Sequence, residues 1–317
     1  MGRRACLSIG VATVTPVGGG ALTFGYLDGA FLGAQAIGDW ALKSGFGAEN
    51  VQIITDADGT AVTESRVQSA VNALFPAGAE PVDHMVLSFC GHGLTDEHVG
   101  SISWLFSDAL QMKYRVQAEY FYDELLLHGI ERLTVIADAC REMPKTFDLA
   151  RLQPRRGITV NGAKAKLSIL DRLVACQDGQ EGFMVSDPTS ADPGKCIFSG
   201  VVNDVLWGLE PDAIKDGQMT MVSMANQSWE RTVQRATSYN LSIVPDVFVH
   251  PKEIVIYNAD SQPLGVPPLQ PWPDVGSVTG MGAGPMEDGP PVAVRIGRRL
   301  ALCRRNSASE FLRILVN

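Results

Sequence analysis

The sequence predicts an α/β protein built on a mostly parallel sheet flanked by helices. Strand-like apolar runs alternate with stretches whose apolar residues recur at helical spacing. Two of those runs, residues 84–90 and 133–137, end in Gly91-His92-Gly93 and Asp138-Ala139-Cys140-Arg141. A parallel sheet would deliver both segments to the carboxyl ends of its strands, where open α/β sheets place their sites.

The elements follow in order. Residues 5–14 read as a first strand, followed by a glycine loop at Gly18-Gly19-Gly20. Leu27, Phe31, Ala34, Ile37 and Ala41 form a helical stripe that Gly45 and Gly47 end. Residues 51–55 are a second strand. Thr63 is placed to cap a helix carrying Val67, Ala70, Val71 and Leu74 on one face. The strand at 84–90 follows, then a short one at 102–106, a helix marked by Phe121, Leu125 and Leu126, and the strand at 133–137. Residues 144–166 hold proline, glycine and many cations, which predicts a long loop. Strand-like runs at 173–176 and 182–185 flank the turn Gln177-Asp178-Gly179-Gln180. Helical stripes follow at Phe198, Val201, Val205 and Leu209, and at Val222, Ala225, Trp229, Val233 and Ala236. A late strand is expected at 254–257. These elements give one domain over 1–258. Repeated prolines and glycines make 259–291 a linker, and 292–303 with 310–316 could form a C-terminal β-hairpin within 292–317.

Composition narrows the function. The chain has 317 residues, 45% hydrophobic and 19% charged, with a net charge of −9. That describes a soluble globular protein and argues against a nucleic-acid surface, which needs clustered cations. Arg295, Arg298, Arg299, Arg304 and Arg305 are a local exception, read as a solvated strand face. The six cysteines are scattered without Cys-x-x-Cys spacing, which argues against zinc and favours a reducing cytoplasm. The basic, apolar start imitates a signal peptide, but its apolar stretch is short and no cleavage site follows, so a core strand is expected. No window approaches the roughly 18 apolar residues of a membrane span.

Chemistry concentrates at His92 and Cys140. A thiol needs a base to become a thiolate near neutral pH, and imidazole is the usual one. The two stand 48 residues apart, close to the about 50 between the caspase pair. With the glycine-flanked histidine and the Asp-Ala-Cys-Arg element, residues from about 5 to 258 resemble the caspase-like cysteine peptidases: caspases, paracaspases and metacaspases. Asp138 stands where caspases have glutamine, and Glu142 replaces the glycine after the arginine.

The resemblance implies a caspase-like three-layer fold and a cysteine endopeptidase with Cys140 as nucleophile and His92 as base. The amides of Gly93 and Cys140 would bind the oxyanion. Asp138 matches the aspartate that metacaspases carry two residues before the cysteine. Asp28 matches a second metacaspase pocket aspartate, at the start of the first helix. Cys90 takes a pocket position that is usually serine. Two carboxylates in one pocket would favour Arg or Lys at the residue preceding the cut, P1. An N-cap for Asp28 and a strand-end turn for Asp138 are the alternatives.

The partners implied are protein substrates with basic P1 residues and an upstream activating protease or sensor, with no nucleic acid and no membrane. The loop at 144–166 offers a processing site after Arg155 or Arg156, with cations that merely solvate a loop as the alternative. No cofactor is expected. Asp96, Glu97 and Asp108 lie where some metacaspases bind calcium, with a solvated loop as the alternative, and Asp56-Ala57-Asp58-Gly59 lacks the distal glutamate of a calcium loop and reads as a turn. His84, His98, His128 and His250 have no metal-ligand spacing. The contrasting expectation is a caspase-like scaffold or regulatory partner of another protease, without catalysis.

Overall fold

In the computed structural model, residues 2–16, 24–95, 101–141, 147–160, 167–258, 271–273 and 277–281 are described, with backbone alone at 147–148, 292–296 and 299–303. In chain order the elements are β1 (Arg3–Gly10), α1 (Asp28–Lys43), β2 (Val51–Thr55), α2 (Glu64–Leu74), β3 (Val82–Cys90), β4 (Gly93–Thr95), β5 (Ile102–Trp104), β6 (Tyr114–Gln117), α3 (Ala118–Leu126) and β7 (Arg132–Asp138). Then come α4 (Phe147–Ala150), β8 (Gln153–Arg155), β9 (Ile169–Val174), β10 (Phe183–Ser186), β11 (Lys195–Cys196), α5 (Ile197–Leu206), β12 (Ile214–Lys215), β13 (Gln218–Thr220), α6 (Met221–Ser238), β14 (Asp246–Phe248), β15 (Val255–Asn258), β16 (Ser277–Gly280), β17 (Val292–Ile296) and β18 (Arg299–Cys303).

The central sheet has the order β14-β9-β7-β3-β1-β2, parallel except for β14, which runs antiparallel on β9 at the edge. The predicted α/β class, a mostly parallel sheet flanked by helices, is the one observed. Strand side chains alternate between two faces. Leu7, Ile9, Met85, Leu87, Phe89, Leu133 and Val135 point to one core layer, which α2 and α3 cover with residues such as Val67, Val71, Phe121 and Leu125. Cys6, Val86, Ile136 and Leu173 point to the other, against Ile37 and Trp40 of α1, Phe198 and Val202 of α5, and Met224 of α6. Period two therefore sends Cys90 and Asp138 to the layer of α1 and α5.

The helix ends follow local chemistry. Thr63 caps α2 as expected, its hydroxyl accepting from the Arg66 amide at 3.3 Å. Thr220 and Ser223 form a reciprocal capping box on α6. Far from the strand ends that carry the motifs, Arg132 and Asp171 make a buried bidentate ion pair at 2.5 and 2.9 Å. Breaking such a pair by removing one partner is strongly destabilising, because a buried charge is left uncompensated.

Several expectations change. The first strand ends at Gly10 rather than residue 14. The segment expected as one long loop contains α4 and β8, and β8 pairs in parallel with β6. Helix α6 buries Met221, Met224, Ala225, Ser228, Thr232 and Ala236, while Val222 and Trp229 lie outward. Small polar residues one turn apart serve the packed face because their hydroxyls bond back to the helix, as Thr232 does to the Ser228 carbonyl at 2.6 Å. The C-terminal hairpin pairs β17 with β18, both within 292–303. Inside the stretch expected as linker, β16 pairs antiparallel with β10. Gly18 to Gly20, Asp96, Glu97, His98, Glu142 and residues 310–316 lie outside the described residues.

Candidate active site

The register of two parallel strands builds the site. Cys90 at the end of β3 pairs with Asp138 at the end of β7. His92 and Cys140 each stand two residues further on, so adjacent strands deliver both to one end of the sheet. Glycine lets the two turns meet: a Cβ on Gly93 would lie 2.6 Å from the Cys140 carbonyl oxygen and 2.8 Å from the Ala139 Cβ. The Gly91 amide donates to the Asp138 carbonyl at 3.0 Å, tying the same turns together. These glycines serve the approach of one loop to the other.

Arg141 fixes the far side. Its guanidinium bonds the Cys176 carbonyl at 3.2 Å and Asp246 at 2.9 Å, and it pairs with Asp178. Its amide donates to the Gln180 carbonyl at 3.0 Å. The turn at 177–180 is thereby held against the cysteine loop, which places Gly182 on the thiol. The Gly182 amide donates to Cys140 Sγ at 3.2 Å.

The His92 ring is fully buried, beside Phe24 at 4.7 Å between centroids. Nε2 lies 2.7 Å from the Gly25 carbonyl oxygen and Nδ1 2.6 Å from the Met281 carbonyl oxygen. Carbonyl oxygens only accept, and a neutral imidazole carries one N–H, so only the imidazolium donates to both. Burial pushes the His92 pKa down, against the pull of the two carbonyls. Nε2 toward Gly25 orients the ring, and Nδ1 is the nitrogen that faces Met281.

A buried polar cluster lies on the layer of α1 and α5. Asp138 is buried. Its Oδ2 accepts from the Ser199 amide at 2.7 Å, in the first turn of α5, where the helix dipole favours an anion. Its Oδ1 has no partner among the described residues. Burial is the largest influence and raises the Asp138 pKa from 3.8 to about 6, with the Ser199 bonds opposing. Asp28 opens α1 and accepts from the Gly194 amide at 2.9 Å. Cys90 Sγ sits 3.5 Å from Ser199 Oγ. The Cys196 thiol, at the cap of α5, is hydrogen-bonded to Cys90; that bond, burial and the Asp138 and Asp28 charges raise its pKa. Cys90, Asp138 and Cys196 thus lie together, with Ser199 bonded to Asp138 and beside Cys90, while Asp28 bears on the same Cys196 thiol from the start of α1.

The Cys90, Asp138 and Cys196 ligand atoms lie within 4.8 Å of one another. Three donors fall short of the four in a closed zinc site. A thiol must also lose its proton to bind metal, and the Cys196 thiol is held in its protonated form. Asp56 is used locally, its carboxylate accepting from the Ala12 and Thr13 amides at 2.8 Å. Asp108 accepts from the Tyr114 hydroxyl at 2.5 Å.

Arg155 and Arg156 lie away from this cluster. Arg155 ends β8, bonds Glu64 at 2.6 Å and stacks over the Tyr114 ring, and Arg156 pairs with Glu124.

Sequence reasoning missed Gly25 and Gly182, which act through backbone atoms and leave no side-chain signature. It also missed Met281, whose trace was the β-branched pair Val278-Thr279 between Gly276 and Gly282.

No helix among the described residues is long and apolar enough to cross a membrane. No protein-family model and no curated protein sequence matches the chain. Among solved structures, one described as "structure of pro-sf-caspase-1" is similar over 78% of this chain and 86% of that chain, with a TM-score of 0.41 and 8% identity.

Proposed function

We propose that the chain is a cysteine endopeptidase of the caspase-like type that cuts after Arg or Lys. The observation that carries this reading is the Cys90–Asp138 register, with His92 and Cys140 each two residues beyond it and a buried carboxylate that has one oxygen without a partner among the described residues. His92 takes the proton from Cys140 Sγ, and the thiolate attacks the P1 carbonyl carbon. The Gly93 and Cys140 amides hold the oxyanion. As the C–N bond breaks, His92 gives its proton to the leaving amine. Water, deprotonated by His92, then hydrolyses the thioester and frees Cys140.

The P1 preference rests on Asp138. A guanidinium or ammonium would supply the partner that Oδ1 lacks, and Asp28 adds a second negative charge nearby. Burial alone disfavours the charged carboxylate, and a cationic side chain would return it to the ionised form. A role in regulated proteolysis in the cytoplasm, with a separate activator, belongs to the same proposal. Processing after Arg155 or Arg156 would require β8 to leave β6 and both ion pairs to open.

A second reading, a non-catalytic partner of another protease, draws on one fact: His92 and Cys140 are both fully buried. An Arg-directed chloromethyl ketone separates the two. An adduct on Cys140, mapped by peptide mass, is expected of a peptidase and absent in Cys140→Ala. No adduct on Cys140 in any form of the folded protein, including variants that open the site, overturns the peptidase.

A further inference from the structure

The residues that cover the site belong to the chain itself. Strand β16 lies antiparallel on β10, with Ser277 opposite Ser186, Val278 opposite Val185, Thr279 opposite Met184 and Gly280 opposite Phe183. The Met281 amide continues the ladder, donating to the Gly182 carbonyl at 2.9 Å. Gly182 is the residue whose own amide bonds Cys140 Sγ. An extended segment thus runs along the edge of β10 and ends on the thiol loop.

Met281 then turns inward. It is fully buried and packs with Leu27, Ala30, Cys90, Cys140, Met184 and Cys196. A Cβ built on Gly182 would lie 3.2 Å from Met281 Sδ and 3.5 Å from Asp138 Oδ1, so thioether and carboxylate flank one small space. Methionine is unbranched, with the linear stem of lysine or arginine but no charge. It fills the slot and leaves Asp138 Oδ1 without a partner among the described residues. Its carbonyl oxygen sits on His92 Nδ1, which on the peptidase reading would take the thiol proton.

An anchor holds the segment in place. The Trp272 indole N–H donates to Asp204 at 2.6 Å, and its ring lies under Lys195 at 4.2 Å and Arg235 at 4.4 Å. The Tyr239 hydroxyl donates to the Pro273 carbonyl at 2.6 Å. Gly200 leaves room for this ring, since a Cβ there would meet Trp272 at 2.9 Å.

We propose that Ser277–Met281 is an internal pseudosubstrate strand, with Met281 an uncharged stand-in for the basic P1 residue. This rests on the peptidase reading of the same site. The segment marks the β10 edge as the docking line for an extended peptide. It escapes cleavage because Met281 leaves Asp138 uncompensated, so nothing draws its carbonyl off the base and onto the oxyanion amides.

The test uses the full chain with Met281→Gly, Met281→Arg, Trp272→Ala and Cys140→Ala. Met281→Gly empties the slot, and its Cys140 should react with the Arg-directed chloromethyl ketone at least about tenfold faster than wild type, because a buried side chain and its contacts no longer hold the strand down. Trp272→Ala, which removes the anchor on Lys195, Asp204 and Arg235, should move the rate the same way. A synthetic peptide of residues 277–283 should inhibit Met281→Gly competitively. Met281→Arg places a cation beside Asp138 and should cut itself after residue 281. Cys140 would attack the carbonyl carbon of residue 281, the bond to Gly282 would break, and water would release the new carboxylate. Intact mass should show the fragment 1–281, and the double variant Met281→Arg/Cys140→Ala should stay whole. If wild type reacts as fast as both Met281→Gly and Trp272→Ala, the pseudosubstrate falls while the peptidase stands. If Met281→Gly gains reactivity but Met281→Arg stays whole, the P1 assignment of Met281 is overturned. If no variant reacts at Cys140, the peptidase reading fails and takes the pseudosubstrate with it.

Discussion

Asp138 carries a conflict that a stable core would avoid. Its carboxyl is buried and one oxygen has no partner among the described residues. Its pKa, 3.8 in a free chain, rises to about 6 in the fold. The fold therefore binds more protons than the unfolded chain between those values. The associated stability is fully present below about pH 3.8 and is lost as pH rises through 6. Asp138→Asn keeps an oxygen for the Ser199 amide and removes the charge. It should stabilise the protein at pH 7.5 by about 2–3 kcal/mol, from roughly 1.4 kcal/mol per pKa unit, and by little at pH 4. Urea melts of both proteins at both pH values check this. The same change should lower kcat/KM on P1-Arg peptides by about 2–5 kcal/mol of binding, because the cation loses its partner. Buried His84 works in the opposite direction: burial lowers its pKa from 6.5 to about 4, so its share of stability is lost as pH falls through that window. Comparing Asp138→Asn with wild type at each pH cancels that share. At this scale Asp138, Cys90 and Asp28 were singled out by the resemblance to metacaspases, position by position, and not by any pattern of their own. The sequence could not name Gly25, whose contribution is a carbonyl that every residue possesses.

Short elements were harder to read than long ones, for a physical reason. Helices α1, α2 and α5 span several turns, so their stripes repeat often enough to stand out. Strand β16 has four residues and lies among prolines and glycines, where composition speaks for a linker; its pairing partner β10 lies about ninety residues upstream. The α6 stripe was misplaced because Ser228 and Thr232 are packed while Trp229 is half out, its indole nitrogen reaching the Pro245 carbonyl at 3.1 Å. The anchor of β16 is also non-local, since Trp272 gains its place from Lys195, Asp204 and Arg235. Trp272→Ala should cost about 2 kcal/mol of local stability, from the lost cation–π contacts and one charge-assisted hydrogen bond. Hydrogen exchange should show faster exchange at 277–281 with little change in β3 and β7. Equal exchange at 277–281 in wild type and variant would mean the ring does not hold the strand.

Across the whole molecule, the α/β class followed from alternating patterns, while the strand order did not. Nothing in a single strand says that β3 lies between β1 and β7; that order comes from right-handed crossovers and from which faces α1 and α5 must cover. Once the order is set, the register carries the site, since a slip of one residue would turn Cys90 and Asp138 to the opposite layer. His92→Ala and Cys140→Ala should leave this scaffold folded, with melting temperatures near wild type. Each should remove peptidase activity, and the double variant should be little worse than either single one, because a nucleophile and its base act as a unit.

The most direct measurement is kcat/KM for the Met281→Gly chain on two matched peptides that differ only in P1, Arg against Asp, with Met281→Gly/Cys140→Ala as the control. The predicted result is cleavage after Arg, none after Asp, and none by the control. Preference for P1 Asp, or cleavage by the folded control, would contradict the account.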